Sequence, residues 1–172
     1  LQDLMSQLAC PVYLANDANC FALAEALSGQ GKVLFGDHPP ESVFGVILGT
    51  GVGGGIVVQG RILQGKLAIS GEWGHNPLPA ATLNSLPLAE RDRPCYCGRK
   101  DCIETYLSGP GLALSYALRF DDTLSSQAIV EKMRAGESKS QEIWLNYLSQ
   151  LACALAQVVN ILDPSLIVLG GG

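Results

Sequence analysis

Apolar positions along this chain change period, first helical, then strand-like, then helical again. Residues 17–28 (DANCFALAEALS) read as a helix: Ala, Leu and Glu dominate, Gly29 stops it, and Asn16 or Asp17 can cap its start. Residues 29–41, rich in Gly and Pro, read as a loop. Val43-Phe44-Gly45-Val46-Ile47-Leu48 is a short apolar run that predicts a buried strand. Beyond a run of glycines, Ile56-Val57-Val58 and Arg61-Ile62-Leu63 flank Gln59-Gly60, a tight turn, so an antiparallel meander is expected. Residues 76–94 carry four prolines and read as an irregular loop. Helices are predicted over 109–119, 125–135 and 140–162. In the last, Trp144, Leu148, Leu151, Leu155, Val159 and Leu162 recur at intervals of three and four and predict one buried face. Asp163-Pro164 ends that helix, and Leu166-Ile167-Val168-Leu169 reads as a strand running into Gly170-Gly171-Gly172. The chain shows no internal repeat or low-complexity tract.

With 172 residues the chain can build one good core or two small lobes. Apolar content of 48% and charge of 16% are those of an ordinary globular protein. A net charge of −5 gives no electrostatic case for nucleic acid or an anionic membrane, so neither is an expected partner. Leu1 opens an amphipathic stretch without a basic flank, unlike a secretory signal, and the missing initiator methionine suggests a piece of something longer. The glycines of 49–55 and Asp163-Pro164 interrupt the two most hydrophobic regions, so no apolar run of membrane-spanning length is expected. Cys10, Cys20 and Cys153 lie scattered in apolar surroundings and read as buried thiols. A reducing compartment, the cytoplasm, follows.

The remaining three cysteines change the picture. Gly71-Glu72-Trp73-Gly74-His75 is followed by Cys95-Tyr96-Cys97-Gly98-Arg99-Lys100-Asp101-Cys102-Ile103-Glu104. Thiolates at C-x-C and C-x4-C spacing, with Gly98 freeing the turn, can converge with His75 on one tetrahedral ion. The alternative is a reduced cysteine cluster or a disulfide. If His75 gives one ring nitrogen to zinc, the other becomes a fixed donor that can point at a ligand hydroxyl. Glu72 and Glu104 fit three roles: partners behind the metal ligands, surface charges, or acceptors for sugar hydroxyls. Gly49-Thr50-Gly51-Val52-Gly53-Gly54-Gly55 can turn backbone N–H groups toward an anion, though taken alone such a stretch is more often a bulge or tight turn, and no Walker pattern follows. Asp17, at a helix start, is stabilised as an anion by the helix dipole; it can cap, or accept a proton from an attacking hydroxyl. His38, between Asp37 and Pro39, reads as an exposed loop residue.

In combination these segments resemble the ROK sugar kinases: NDAN at 16–19, LGTGVGGG at 48–55, GEWGH at 71–75, CYCGRKDCIE at 95–104 and VLGGG at 168–172. The pieces keep the family's order and cover nearly the whole chain. The resemblance implies an α/β, actin-like (ribonuclease-H-like) ATPase fold. Residues 1–40 would form the end of a small domain and a hinge, and 41–172 the large domain with its zinc loop, 75–104. It implies Asp17 as catalytic base and Asn16, Asp17, Glu72, His75 and Glu104 as sugar ligands. Gly49, Thr50 and Gly51 would hold the ATP phosphates, with Gly170, Gly171 and Gly172 at the adenosine site. His75, Cys95, Cys97 and Cys102 become the ligands of a structural zinc, and magnesium would accompany ATP. A hexose, fructose first and N-acetylglucosamine or glucose next, is the expected substrate, and a homodimer the expected assembly. The same family includes sugar-responsive transcriptional regulators, which are the alternative. Asp101 stands where the family usually has glycine, and Asp tolerates a left-handed backbone better than most residues. The family's N-terminal phosphate loop and the segment after Gly172 are missing, so the chain by itself is not expected to turn over.

Overall fold

The computed structural model describes residues 2–8, 10–12 and 14–171. Helix α1 (Gln2–Leu8) precedes α2 (Asp17–Leu27). Asn16 caps α2: its backbone is extended, and its side-chain oxygen accepts the Ala18 N–H at 2.9 Å and the Asn19 N–H at 3.3 Å. The loop expected over 29–41 instead contains a short helix, α3 (Gln30–Phe35). Its Gly31 is there for close packing, since a Cβ would stand 2.3 Å from the Ala26 carbonyl oxygen.

The meander forms as expected: β1 (Ser42–Leu48) pairs antiparallel with β2 (Val52–Val58), and β2 with β3 (Arg61–Ile62). Gln59 and Gly60 both take positive φ, 49° and 72°, the signature of a tight hairpin turn. The segment expected to be a plain loop at 76–94 holds α4 (Ala80–Ser85) and a 3₁₀ turn at Leu88–Glu90. Helices α5 (Glu104–Leu107), α6 (Gly109–Phe120), α7 (Ser126–Arg134) and α8 (Ser138–Leu162) follow, and β4 (Leu166–Gly171) returns parallel to β1. The sheet order is β3-β2-β1-β4.

The period of two along the strands assigns each residue to a face. Val43, Val57 and Val168 pack with Ala22 and Ala26 of α2, whereas Phe44, Val46 and Val52 join Trp73, Tyr106 and Leu151 on the other face. Three glycines, Gly45, Gly53 and Gly55, lie on the α2 side. A Cβ on Gly45 would stand 2.7 Å from the Ala22 Cβ, and one on Gly55 would stand 2.4 Å from the Ala18 carbonyl oxygen. Gly53, Gly54 and Gly55 therefore belong to a strand that a small-residue helix approaches closely. They are not part of a phosphate-binding turn, and the turn itself is confined to Gly49–Gly51.

The long helix α8 starts and ends near its predicted limits, but its buried face is rotated from the one expected. Ile143, Leu151 and Ala154 are buried, while Leu148 and Val159 are exposed. The reason is competition between two partners: Ile143 faces α6 and α7, and Leu151 and Ala154 face the sheet, so the stripe crosses the helix. At 25 residues, α8 is by length and composition also apolar enough to cross a membrane, contrary to the sequence expectation. Cys10, Cys20 and Cys153 are exposed, not buried; Cys20 and Cys153 sit on the outer faces of α2 and α8.

Candidate active site and metal centre

The turn at Trp73–His75 and the loop 95–102 bring four donor atoms together. One ligand atom each from His75, Cys95, Cys97 and Cys102 lies within 4.8 Å of every other. The Cys97 and Cys102 sulfurs are 3.6 Å apart, and His75 Nδ1 is 3.5 Å from the Cys95 sulfur. Tetrahedral coordination at a Zn–S distance of about 2.3 Å requires sulfur separations of roughly 3.8 Å, so the donor set fits a zinc ion. The Arg99 backbone N–H, followed by its side chain, lowers the Cys97 thiol to about 6, whereas burial raises Cys102 to about 12.

Two backbone features hold this loop. Gly98 has φ 87° and donates its N–H to the Cys95 carbonyl at 3.0 Å. Asp101 has φ 55°, the left-handed conformation anticipated for it. Its carboxylate accepts the Arg93 N–H at 2.9 Å, the Asp92 N–H at 3.2 Å and the Tyr106 hydroxyl.

That carboxylate leads into a buried polar network with no simple mark in the sequence. The Arg93 guanidinium lies 4.1 Å from the Tyr106 ring centroid. Its Nε donates to the Glu90 carbonyl, one terminal nitrogen to the Thr105 and Gly111 carbonyls, and the other to the Ser115 hydroxyl. Burial lowers the Arg93 pKa, opposed by Tyr106, Glu90 and Asp101. Burial and then the Asp101 contact raise that of Tyr106. Glu90, also buried, pairs with Arg119, which reaches on to Glu142 of α8. Charged residues predict surface by default, so this brace between the cysteine loop, α5 and α6 was not foreseen.

The remaining candidates gather around the start of β2. Glu104 Oε2 accepts the Val52 N–H at 3.0 Å, and a Cβ on Gly51 would stand 2.7 Å from the same oxygen. Trp73 Nε1 donates to the Gly53 carbonyl at 2.9 Å. From the opposite face, the first turn of α2 approaches Gly53 through Ala18. One carboxylate oxygen of Asp17 accepts the Ala18 N–H at 2.8 Å. Asn19 beside it is buried, and its side-chain oxygen has no partner among the described residues. Glu72 is exposed and, with His75, lines a groove of about 740 Å³ that runs to Ile161 and Leu162 of α8. His75 Nε2 is 2.9 Å from the Tyr96 hydroxyl, and the pKa of that phenol is raised first by Glu104 and further by Cys95 and Glu72. Tyr96 was not among the sequence candidates, because nothing in its position between Cys95 and Cys97 says that it meets His75.

Within the hairpin, the Gly49 N–H donates to the Gly51 carbonyl at 3.0 Å, and the Gly49 carbonyl accepts the Gly109 N–H at 2.8 Å. The amides this turn can offer an anion are those of Thr50 and Gly51. Gly49 and Thr50 line a cavity of about 470 Å³ with Gly109, Ser126 and Gln127. A second cavity of about 600 Å³ shares Gly109, Ser126 and Gln127 and reaches Gly170, Gly171 and Trp144. The two glycine segments expected to meet one nucleotide thus line two neighbouring cavities that share Gly109, Ser126 and Gln127. Gly171 has φ 126° and packs so tightly that a Cβ would stand 2.0 Å from the Leu48 carbonyl oxygen. Gly172 lies outside the described residues. Ser126, Gln127 and Trp144 were also missed as lining residues, because nothing local distinguishes them from other helical positions.

The sequence profile of the ROK family matches residues 1–172. A curated relative, an N-acetyl-D-glucosamine kinase from Salmonella paratyphi B, is 42% identical over 170 residues, which are 99% of this chain and 54% of that protein. Among solved structures, a ROK hexokinase from Thermus thermophilus superposes with a TM-score of 0.80 at 32% identity, covering 99% of this chain and 52% of that one. A ROK family transcriptional regulator, a homologue of the E. coli MLC protein, superposes with a TM-score of 0.77 at 26% identity, covering 99% and 41%. The chain thus spans about half the length of the curated relatives it matches. The fold is the expected α/β, actin-like ATPase fold of the ROK sugar kinases.

Proposed function

The chain belongs to the ROK family, and from that premise we propose that the protein carrying it transfers the γ-phosphoryl group of ATP to a hydroxyl of a hexose. The observation that carries this reading is the convergence at the start of β2. The first turn of α2, with Asp17, approaches from one side and Glu104 from the other, and the adjoining hairpin lines a cavity that shares Gly109, Ser126 and Gln127 with the one lined by Gly170 and Gly171. This proximity of a carboxylate, a glycine turn and neighbouring cavities supports in-line phosphoryl transfer, in which acceptor and nucleotide must be held side by side.

In this reading the free oxygen of Asp17 accepts the proton of the attacking hydroxyl. Asn16 uses its side-chain oxygen to cap α2, which leaves its amide N–H groups to donate to the sugar. Glu104 and Glu72 accept sugar hydroxyl protons, and His75 donates through Nε2. Thr50 and Gly51 present amides to the transferring phosphates, whose charge magnesium neutralises. A zinc held by His75, Cys95, Cys97 and Cys102 is structural, since four protein ligands leave no open position for chemistry. Residues 1–40 act as the end of a small domain and hinge, and 41–172 as the large domain. The reaction belongs in the cytoplasm, where Mg-ATP and reduced thiols coexist. A homodimer is the proposed assembly, with Ile161 of α8, 89% exposed, as an apolar contact.

N-acetylglucosamine now stands ahead of fructose as the proposed sugar, because the relative at 42% identity is named for it. The regulator reading keeps some support from the structural match to a transcriptional regulator. Against it stand the intact hairpin and its neighbouring cavities, which a sugar sensor does not need. The test is zinc- and Mg-ATP-dependent ADP release against N-acetylglucosamine, fructose, glucose and mannose, measured on the full natural protein. Turnover with one sugar supports the kinase and names its substrate; sugar binding without turnover on any supports the sensor.

A further inference from the structure

Tyr96 is 83% exposed, yet its side chain is not idle on the surface. Its ring stands edge-on to His75, with centroids 4.9 Å apart and planes at 82°, and its hydroxyl is 2.9 Å from His75 Nε2. His75 Nδ1 faces the Cys95 sulfur and the metal cluster. A neutral imidazole with Nδ1 turned to a metal carries its proton on Nε2, so Nε2–H donates and the Tyr96 oxygen accepts. This is the single outward donor of His75, the one assigned above to a sugar hydroxyl. A phenol oxygen and a carbohydrate hydroxyl present the same acceptor to it.

We infer that the Tyr96 hydroxyl holds the place of a sugar hydroxyl on His75, and that an arriving sugar displaces it. Tyr96 is then a specificity-determining residue: each sugar must offer His75 a better acceptor than the protein's own phenol, and a sugar without a hydroxyl at that point leaves the tyrosine in place. Displacement needs no backbone movement. Cys95 and Cys97 fix the loop on either side, while exposure leaves the Tyr96 side chain free to rotate. The inference rests on the reading of His75 as a sugar ligand.

The test compares the natural protein with Tyr96→Phe, which keeps the ring and removes only the competing oxygen. Calorimetric titrations use N-acetylglucosamine and its monodeoxy analogues, with zinc content and Mg-ATP affinity measured alongside. A net hydrogen bond of ordinary strength corresponds to about a two- to tenfold change in affinity. The expected result is N-acetylglucosamine binding tightened by about that factor in Tyr96→Phe, with zinc content and Mg-ATP affinity unchanged. The analogue lacking the hydroxyl that meets His75 should show no gain. A purely structural tyrosine would move all sugars, or zinc, together. Unchanged or weakened N-acetylglucosamine binding in Tyr96→Phe overturns the inference while leaving the sugar site intact. If the unaltered protein binds none of the four hexoses, the site reading falls and this inference falls with it.

Discussion

Replacing Asp101 by glycine sets two effects against each other, and the structure says which wins. Glycine would relieve the left-handed backbone at φ 55°, a gain of about 1 kcal/mol for a residue such as Asp that tolerates the region. It would also remove the carboxylate that accepts the Arg93 and Asp92 N–H groups and the Tyr106 hydroxyl. Tyr106 can still donate to the Glu90 carbonyl at 3.2 Å, so its loss is partly made good. The two amide bonds are charge-assisted, at about 1.5–3 kcal/mol each where buried; discounting the exposed one at Asp92 leaves about 2–4 kcal/mol. Asp101→Gly should therefore destabilise by about 1–3 kcal/mol, which lowers the Tm by roughly 2–4 °C per kcal/mol at this chain length. Asp101→Asn, which keeps one acceptor oxygen and the left-handed tolerance, should fall between the two. Thermal unfolding of zinc-saturated protein by circular dichroism makes the comparison. A glycine variant as stable as the unaltered protein, or more so, would show that Asp101 merely occupies a position glycine fills better.

Removing the zinc set should weaken more than the fold. Cys97→Ser is expected to lower sugar affinity as well as stability, read by titration and unfolding on the same samples; unchanged sugar binding in a zinc-free, folded variant would separate His75 and Glu104 from the metal. Gly55→Ala would place a Cβ 2.4 Å from the Ala18 carbonyl oxygen and should cost about 1–3 kcal/mol or more, seen as a lower denaturant midpoint. Arg93→Met should be destabilising, by about 2–3 kcal/mol, because it removes the buried guanidinium's hydrogen bonds and takes that donor from the Thr105 carbonyl, while the Tyr106 and Ser115 hydroxyls still reach the Glu90 and Gly111 carbonyls. A loss below 1 kcal/mol would show that water replaces the guanidinium.

What the sequence made legible was local. The cap at Asn16, the turn at Gln59-Gly60, the extents of α6 to α8 and the gathering of His75, Cys95, Cys97 and Cys102 each follow from residue type and short spacing, and so does the left-handed Asp101. What it hid was set by packing between distant segments. Gly53, Gly54 and Gly55 looked like part of an anion-binding turn because nothing local says that Ala18 and Ala22 press against that strand. The face of α8 was misjudged because its two halves answer to different partners. Cys20 and Cys153 have apolar neighbours in sequence but lie on outward helix faces. Buried Arg93 and Glu90 are legible only once Tyr106, Ser115 and Arg119 surround them, and Tyr96 only once His75 turns its second nitrogen outward.

The central claim is that Asp17 takes the proton from a sugar hydroxyl as phosphoryl transfer occurs. Mass spectrometry of the products from Mg-ATP and N-acetylglucosamine, run with the natural protein and with Asp17→Asn, tests it most directly. The account predicts sugar phosphate from the first and none from the second, although the variant still binds ATP. Comparable sugar phosphate from Asp17→Asn, or ATP hydrolysis without any phosphorylated sugar in the unaltered protein, would contradict it.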